Sequence, residues 1–178
     1  MRILMLGNRY TFVNDMSDTL ARLTGAEVVH HTRGGACLAE PCNPKTKLGA
    51  KTLAILENEK WDYVVLQEMS NAPAVSKDKF LKNAEALCEK IRMNGAKPVF
   101  YATWAYEKGS KQMNQKMAQA YHKAAQQNHA LVADVGLAFY EKSKTEQLYA
   151  EDRSHPNVAG SLLTAELLVE TILFDISR

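Results

Sequence analysis

Arg2-Ile3-Leu4-Met5-Leu6-Gly7-Asn8-Arg9-Tyr10-Thr11 opens with an unbroken apolar run, Ile3–Leu6, that breaks at a glycine into polar residues. A short apolar run without polar alternation reads as a strand covered on both faces, the habit of parallel sheets. Four more such runs follow: Glu27–His30, Tyr63–Leu66, Pro98–Thr103 and Leu131–Asp134. Between them, apolar residues recur at three- and four-residue steps, the spacing of helices packed on one face. Met16, Leu20 and Leu23 mark the first helix; Leu48, Leu53 and Leu56 the second; Phe80, Ala84, Leu87 and Ile91 the third. Met113, Met117, Ala120 and Tyr121 mark the fourth, and Leu162, Leu163, Leu167, Leu168 and Ile172 the last. Strict strand–helix alternation predicts a three-layer α/β/α sandwich on a five-stranded parallel sheet, flavodoxin-like in plan. Gly25 and Gly95 stand as helix stops, Pro156 at a helix entrance, and Asn14 where it can cap the first helix.

The chain has 178 residues, 24% of them charged, and a formal net charge of +2. That length suits one domain over residues 1–178, with no linker or repeat to divide it. Lysines and arginines alternate with Glu and Gln along presumed helix faces, so no basic stripe for nucleic acid is expected. No segment approaches the roughly 18–20 apolar residues of a membrane span. The first residues lack a charged leader region, so a cytoplasmic location is expected, or a secreted one if a signal peptide has been removed. Cys37, Cys42 and Cys88 cannot close a disulfide framework and have no zinc-site spacing. His30 and His31, as strand neighbours, point to opposite faces. No metal is expected. Nor is a cofactor, since neither a P-loop nor a G-x-G-x-x-G follows the first strand.

In an open parallel sheet, ligands sit beyond the carboxyl ends of the strands. The loops there carry Asn8 to Thr11, His31 to Cys37, Gln67 to Asn71, Thr103 to Ala105 and, ahead of the last helix, Glu151-Asp152-Arg153-Ser154-His155-Pro156. A carboxylate three residues before a histidine can fold back onto the imidazole Nδ1–H and leave Nε2 free as a general base. On spacing alone the plainer reading carries more weight: Asp152 caps the turn and His155 is an exposed helix-entry residue.

Taken together, the loops resemble the SGNH (GDSL-type) hydrolase superfamily, in particular its small carbohydrate-esterase-like members. Gly7-Asn8-Arg9-Tyr10-Thr11 with Asn14-Asp15-Met16 is similar to the G-[DN]-S-x-T opening. Gly34-Gly35-Ala36 is similar to the block with the oxyanion-hole glycine, and Asp62–Glu68 to the block whose amide, here Gln67, completes that hole. Asp152-Arg153-Ser154-His155-Pro156 matches the D-x-x-H-P block of acid and base. The resemblance implies acyl transfer from small acyl esters or acetylated carbohydrate by a Ser-His-Asp type mechanism. His155 would be the base, Asp152 its partner, and Gly34, Gly35 and Gln67 the oxyanion hole. Asn8 and Trp104 would touch substrate, Trp104 as an apolar wall or a stacking face for a sugar.

Where that pattern demands serine, the chain has Arg9. A guanidinium stays protonated and offers no nucleophilic lone pair. Losing a triad nucleophile costs about 10⁶-fold in rate, on the order of 8 kcal/mol of barrier. Thr11, Ser17 and Cys37 are poorly placed to substitute, and Tyr10 points away if the segment is extended. Two expectations follow from the resemblance. One is an acyl esterase or carbohydrate O-deacetylase impaired or inactivated at its nucleophile position. The other is a catalytically dead hydrolase-fold binding module, in which Arg9, Arg33 and Arg153 favour an anionic or sugar ligand.

Overall fold

The computed structural model describes residues 1–178. The five expected strands are β1 (Arg2–Gly7), β2 (Glu27–Thr32), β3 (Tyr63–Leu66), β4 (Lys97–Tyr101) and β5 (Leu131–Ala133). They form one sheet in the order β2-β1-β3-β4-β5, with every neighbouring pair parallel. The helices are α1 (Arg9–Phe12), α2 (Met16–Thr24), α3 (Lys47–Asn58), α4 (Ala72–Val75), α5 (Lys77–Asn94), α6 (Lys111–Asn128), α7 (Val135–Lys142) and α8 (Val158–Ile176), with a 3-10 turn at Val13–Asp15. No helix is long and apolar enough to cross a membrane.

Alternation along each strand sorts the core into two layers. Ile3, Met5, Tyr63, Val65, Val99 and Tyr101 pack beneath Leu20 of α2, Phe139 of α7 and Leu168 of α8. Leu4, Leu6, Val64, Leu66 and Phe100 pack beneath Leu56 of α3, Leu87 of α5 and Tyr121 of α6. The central strands are buried on both faces, which is why their sequence shows apolar runs rather than alternation. From β1 the chain winds outward to β2, then crosses back to β3 on the other side. The crevice where these directions part lies at the carboxyl ends of β1 and β3.

Gly25 and Gly95 end α2 and α5 in the left-handed conformation, with φ of +67° and +94°. Two local expectations are corrected. Asn14 does not cap α2: it is itself left-handed, φ 54°, and its Nδ2 donates to Pro156 O and Ser161 Oγ, both at 2.9 Å. Pro156 does not begin α8; Asn157 caps that helix by accepting from Gly160 N–H at 3.0 Å. Pro156 instead pairs with Tyr149 in an isolated antiparallel bridge, closing the intervening turn at its base.

Candidate active site

β1 delivers its last residue, Gly7, against Gln67 from the end of β3. A Cβ on Gly7 would lie 2.5 Å from Gln67 Oε1 and 3.0 Å from Gln67 Cβ, so only glycine allows this approach. Gln67 Oε1 then accepts the Asn8 N–H at 2.9 Å. Asn8 is buried and works in two directions. Its Oδ1 accepts from Tyr10 N–H at 3.2 Å, and its Nδ2 donates to Ala36 O at 3.2 Å. The first contact starts α1; the second ties β1's exit to the loop after β2.

Because Arg9–Phe12 is a helical turn, Tyr10 does not point away as an extended segment would require. Its ring is buried, stacked on Trp104 with centroids 4.9 Å apart and planes 9° from parallel. Its hydroxyl lies 3.1 Å from Ser154 O and 3.0 Å from Ser154 Oγ. Arg9 faces outward and is exposed; its Cγ lies 3.9 Å from where a Cβ on Gly34 would be. Thr11, the nearest hydroxyl, is buried and donates to Asn8 O at 2.6 Å. Ser17 lies within α2.

The turn before α8 brings the acid and the imidazole together. Asp152 Oδ1 accepts the backbone N–H groups of Ser154 at 3.0 Å and His155 at 2.9 Å. Asp152 Oδ2 accepts from His155 Nδ1 at 2.5 Å. Asp152 thus both caps the turn and holds the ring, so the two readings of its spacing describe one structure. The His155 hydrogen bonds, side chain first and backbone next, hold the Asp152 carboxyl down from 3.8 to about 2. A carboxylate can only accept, so Nδ1 carries a proton, and in the neutral ring the lone pair is on Nε2. Nε2 has no partner within the chain, and the side chain is 28% exposed. Such an imidazole can take a proton from a group beside it.

Gly34 and Gly35 are exposed in the loop after β2, and neither N–H finds an acceptor in the chain; the Arg9 N–H also has none. Of the two glycines, Gly34 lies against the Arg9 stem. At the end of β3, Glu68 is 2% exposed, and burial raises its carboxyl pKa. Its Oε1 accepts from Leu38 N–H at 3.2 Å and Met69 N–H at 2.6 Å, pinning the loop that carries the two glycines. No group of three or more His, Cys, Asp or Glu side chains is placed to hold a metal ion.

No protein-family model and no curated protein matches the chain. Solved structures do. A candidate SGNH hydrolase from Slackia heliotrinireducens is 47% identical, with 97% of this chain and 98% of that one superposed at a TM-score of 0.91. This chain belongs to the SGNH hydrolases. Two more distant structures share the fold. A candidate lipolytic protein of the G-D-S-L family from Desulfitobacterium hafniense is 19% identical, covering 96% and 98% of the two chains, with a TM-score of 0.76. The acetylxylan esterase Axe2 from Geobacillus stearothermophilus is also 19% identical, covering 96% and 93%, with a TM-score of 0.74.

Within this SGNH hydrolase the expected site residues divide by exposure. Arg9 and Gly34 are neighbours on the loops after β1 and β2, and Tyr10 of the same turn as Arg9 touches His155 of the Asp152–His155 turn. Gln67 does not expose its amide: it is wholly buried, and its Nε2 donates to Glu68 O. It braces Gly7 and Asn8 instead. Asn8 is equally a brace, with both side-chain polar atoms used internally. Trp104 offers no stacking face, because Tyr10 covers one side and Phe139 the other at 3.8 Å between centroids. Its Nε1 donates to Ser154 O at 3.1 Å, so it supports the histidine turn from below. Tyr10 was the residue hidden from sequence reasoning. A single helical turn leaves no periodicity to read, and only the Asn8 cap signalled it.

Proposed function

We propose that this SGNH hydrolase carries an acyl-ester hydrolysis site whose nucleophile position is occupied by Arg9, and that its own ester turnover is impaired or absent. The observation that supports this best is the Asp152–His155 pair, ring held at Nδ1 and Nε2 free, on the turn that Tyr10 fastens to the exit of β1. With serine at position 9, the hydroxyl would attack an acyl carbonyl and pass its proton to His155 Nε2. Asp152 would stabilise the imidazolium. The N–H groups of residue 9, Gly34 and Gly35 would take the oxyanion. Arg9 supplies no hydroxyl to attack with. The substrate class is small acyl esters, with acetyl groups on carbohydrate the form that the carbohydrate-esterase-like loops suggest.

The test is hydrolysis of a short aryl acetate by the parent, Arg9→Ser, and Arg9→Ser with His155→Ala. Arg9→Ser is expected to exceed the parent by at least about 100-fold, a conservative share of what a nucleophile contributes, and the second substitution to remove the gain. A serine variant no faster than the parent sinks the assignment. So does a fast parent that Thr11→Val or Cys37→Ala silences, since another residue would then be the attacker.

A further inference from the structure

Arg9 differs from the other arginines of the chain in having nothing to bind. Arg2 pairs with Glu27 and Glu59, Arg33 with Glu40 and Arg153 with Glu107. Arg22 donates to Thr19 Oγ1, Arg92 to Asn128 O, and Arg178 lies over the Phe174 ring. Arg9 makes no hydrogen bond, ion pair or ring contact, and it is exposed. Of the three arginines near these loops, two are neutralised by their own carboxylates. Asp152 is already engaged by His155 and two backbone N–H groups. Arg9 is therefore the one arginine of the three without a carboxylate of its own.

Donors lie on the loop against the Arg9 stem. The N–H groups of Gly34 and Gly35 are unpaired, and the Gly34 position lies against the Arg9 stem. An ester carbonyl needs only the glycine donors. A carboxylate needs those and a cation, and a guanidinium matches its two oxygens with a pair of parallel N–H groups.

We propose that Arg9 turns the acyl pocket into a binding site for a carboxylate. One oxygen of the ligand takes the Gly34 and Gly35 N–H groups, and Arg9 grips the carboxylate from the outer side. Such a ligand has the shape of the acyl half of an ester but lacks a leaving group, so it binds without reacting. The proposal rests on the reading that residues 9, 34, 35 and 155 line one acyl pocket. The carboxylate can belong to a short free acid or to a sugar acid.

The test is a titration of the ¹⁵N-labelled full chain with acetate, glucuronate and inorganic phosphate, followed by amide NMR shifts. Saturable shifts at Gly34 and Gly35 with acetate or glucuronate support the site. Equal affinity for the two points to a free acid, and tighter glucuronate binding to a sugar acid. Arg9→Gln is expected to weaken carboxylate binding by about tenfold to a hundredfold, the worth of a charge-assisted pair. Arg22→Gln, an equal change of charge on α2, leaves it unchanged. Shifts that do not saturate, phosphate binding without carboxylate binding, or an Arg9→Gln variant that binds as the parent does would each overturn the proposal. The outcome is separable from esterase activity. A serine variant that hydrolyses esters while the parent ignores carboxylates defeats this inference alone. A parent that binds carboxylate through Arg9 while the serine variant stays inert defeats only the hydrolytic reading.

Discussion

The Tyr10 ring stands edge-on to the His155 imidazole, with centroids 5.2 Å apart and planes at 90°. Its hydroxyl meets Ser154, 144 positions away in sequence. The exit of the first strand and the turn before the last helix are thereby one unit, backed by Trp104 and Phe139 in a continuous stack. Tyr10→Phe keeps the ring contacts and loses the hydroxyl's, so urea unfolding should show a loss of about 1 kcal/mol. Tyr10→Ala removes the stack as well and should cost about 3–5 kcal/mol, the range for emptying an aromatic site in a core.

Asp152 makes stability depend on acid in a defined direction. Its carboxyl is held at about 2 in the folded chain against 3.8 ordinarily. A depressed acid stabilises the fold above its unfolded value and loses that contribution as pH falls through the folded one. The stability difference between the parent and Asp152→Asn, measured by denaturant titration, should be constant at neutral pH. It should shrink steadily as pH drops from about 4 towards 2.

Glu68 works with the opposite sign. Burial raises its carboxyl above the ordinary 4.5, so the unfolded chain ionises first and the fold loses stability as pH climbs past that value. Glu68→Gln keeps an oxygen for Leu38 and Met69 N–H and removes the buried charge. The variant should therefore gain on the parent as pH rises from about 4.5 towards neutrality. A parent that gains on the variant over that window would show the carboxylate to be better solvated than its burial indicates.

Gly7→Ala should be among the costlier single-methyl additions. The new Cβ meets Gln67 at 2.5 and 3.0 Å and Thr11 Cγ2 at 2.9 Å. Overpacking of this kind costs about 1–3 kcal/mol, read as a lowered urea midpoint. Relief requires Gln67 to release the Asn8 N–H. The variant should therefore also shift the amide resonances of Asn8 and Tyr10 more than those of α3 or α5.

The fold was legible because it depends on periodicity. Runs such as Ile3–Leu6 and Tyr63–Leu66 are apolar on both faces, as strands of a parallel sheet covered by helices are. The Asp152–His155 contact was legible because it is local, three residues inside one turn. What escaped depended on distance or on single turns. Nothing in the spacing of Asn14 shows that it reaches Pro156 and Ser161 rather than its own helix. Gln67 and Trp104 have side chains suited to a pocket, and only three-dimensional packing shows them covered. Arg9 was legible as a departure, but its lack of any partner could be seen only once every other arginine had found one.

The central claim is that position 9 stands where a nucleophile would face His155. It is tested most directly by treating Arg9→Ser with an aryl or fluoro phosphonate and mapping the adduct by mass spectrometry. The serine oxygen attacks phosphorus, the aryloxide or fluoride departs, and the proton goes to His155. One adduct on residue 9, absent from the parent and from Arg9→Ser/His155→Ala, is the predicted result. An unmodified variant, or an adduct on any other residue, contradicts the account.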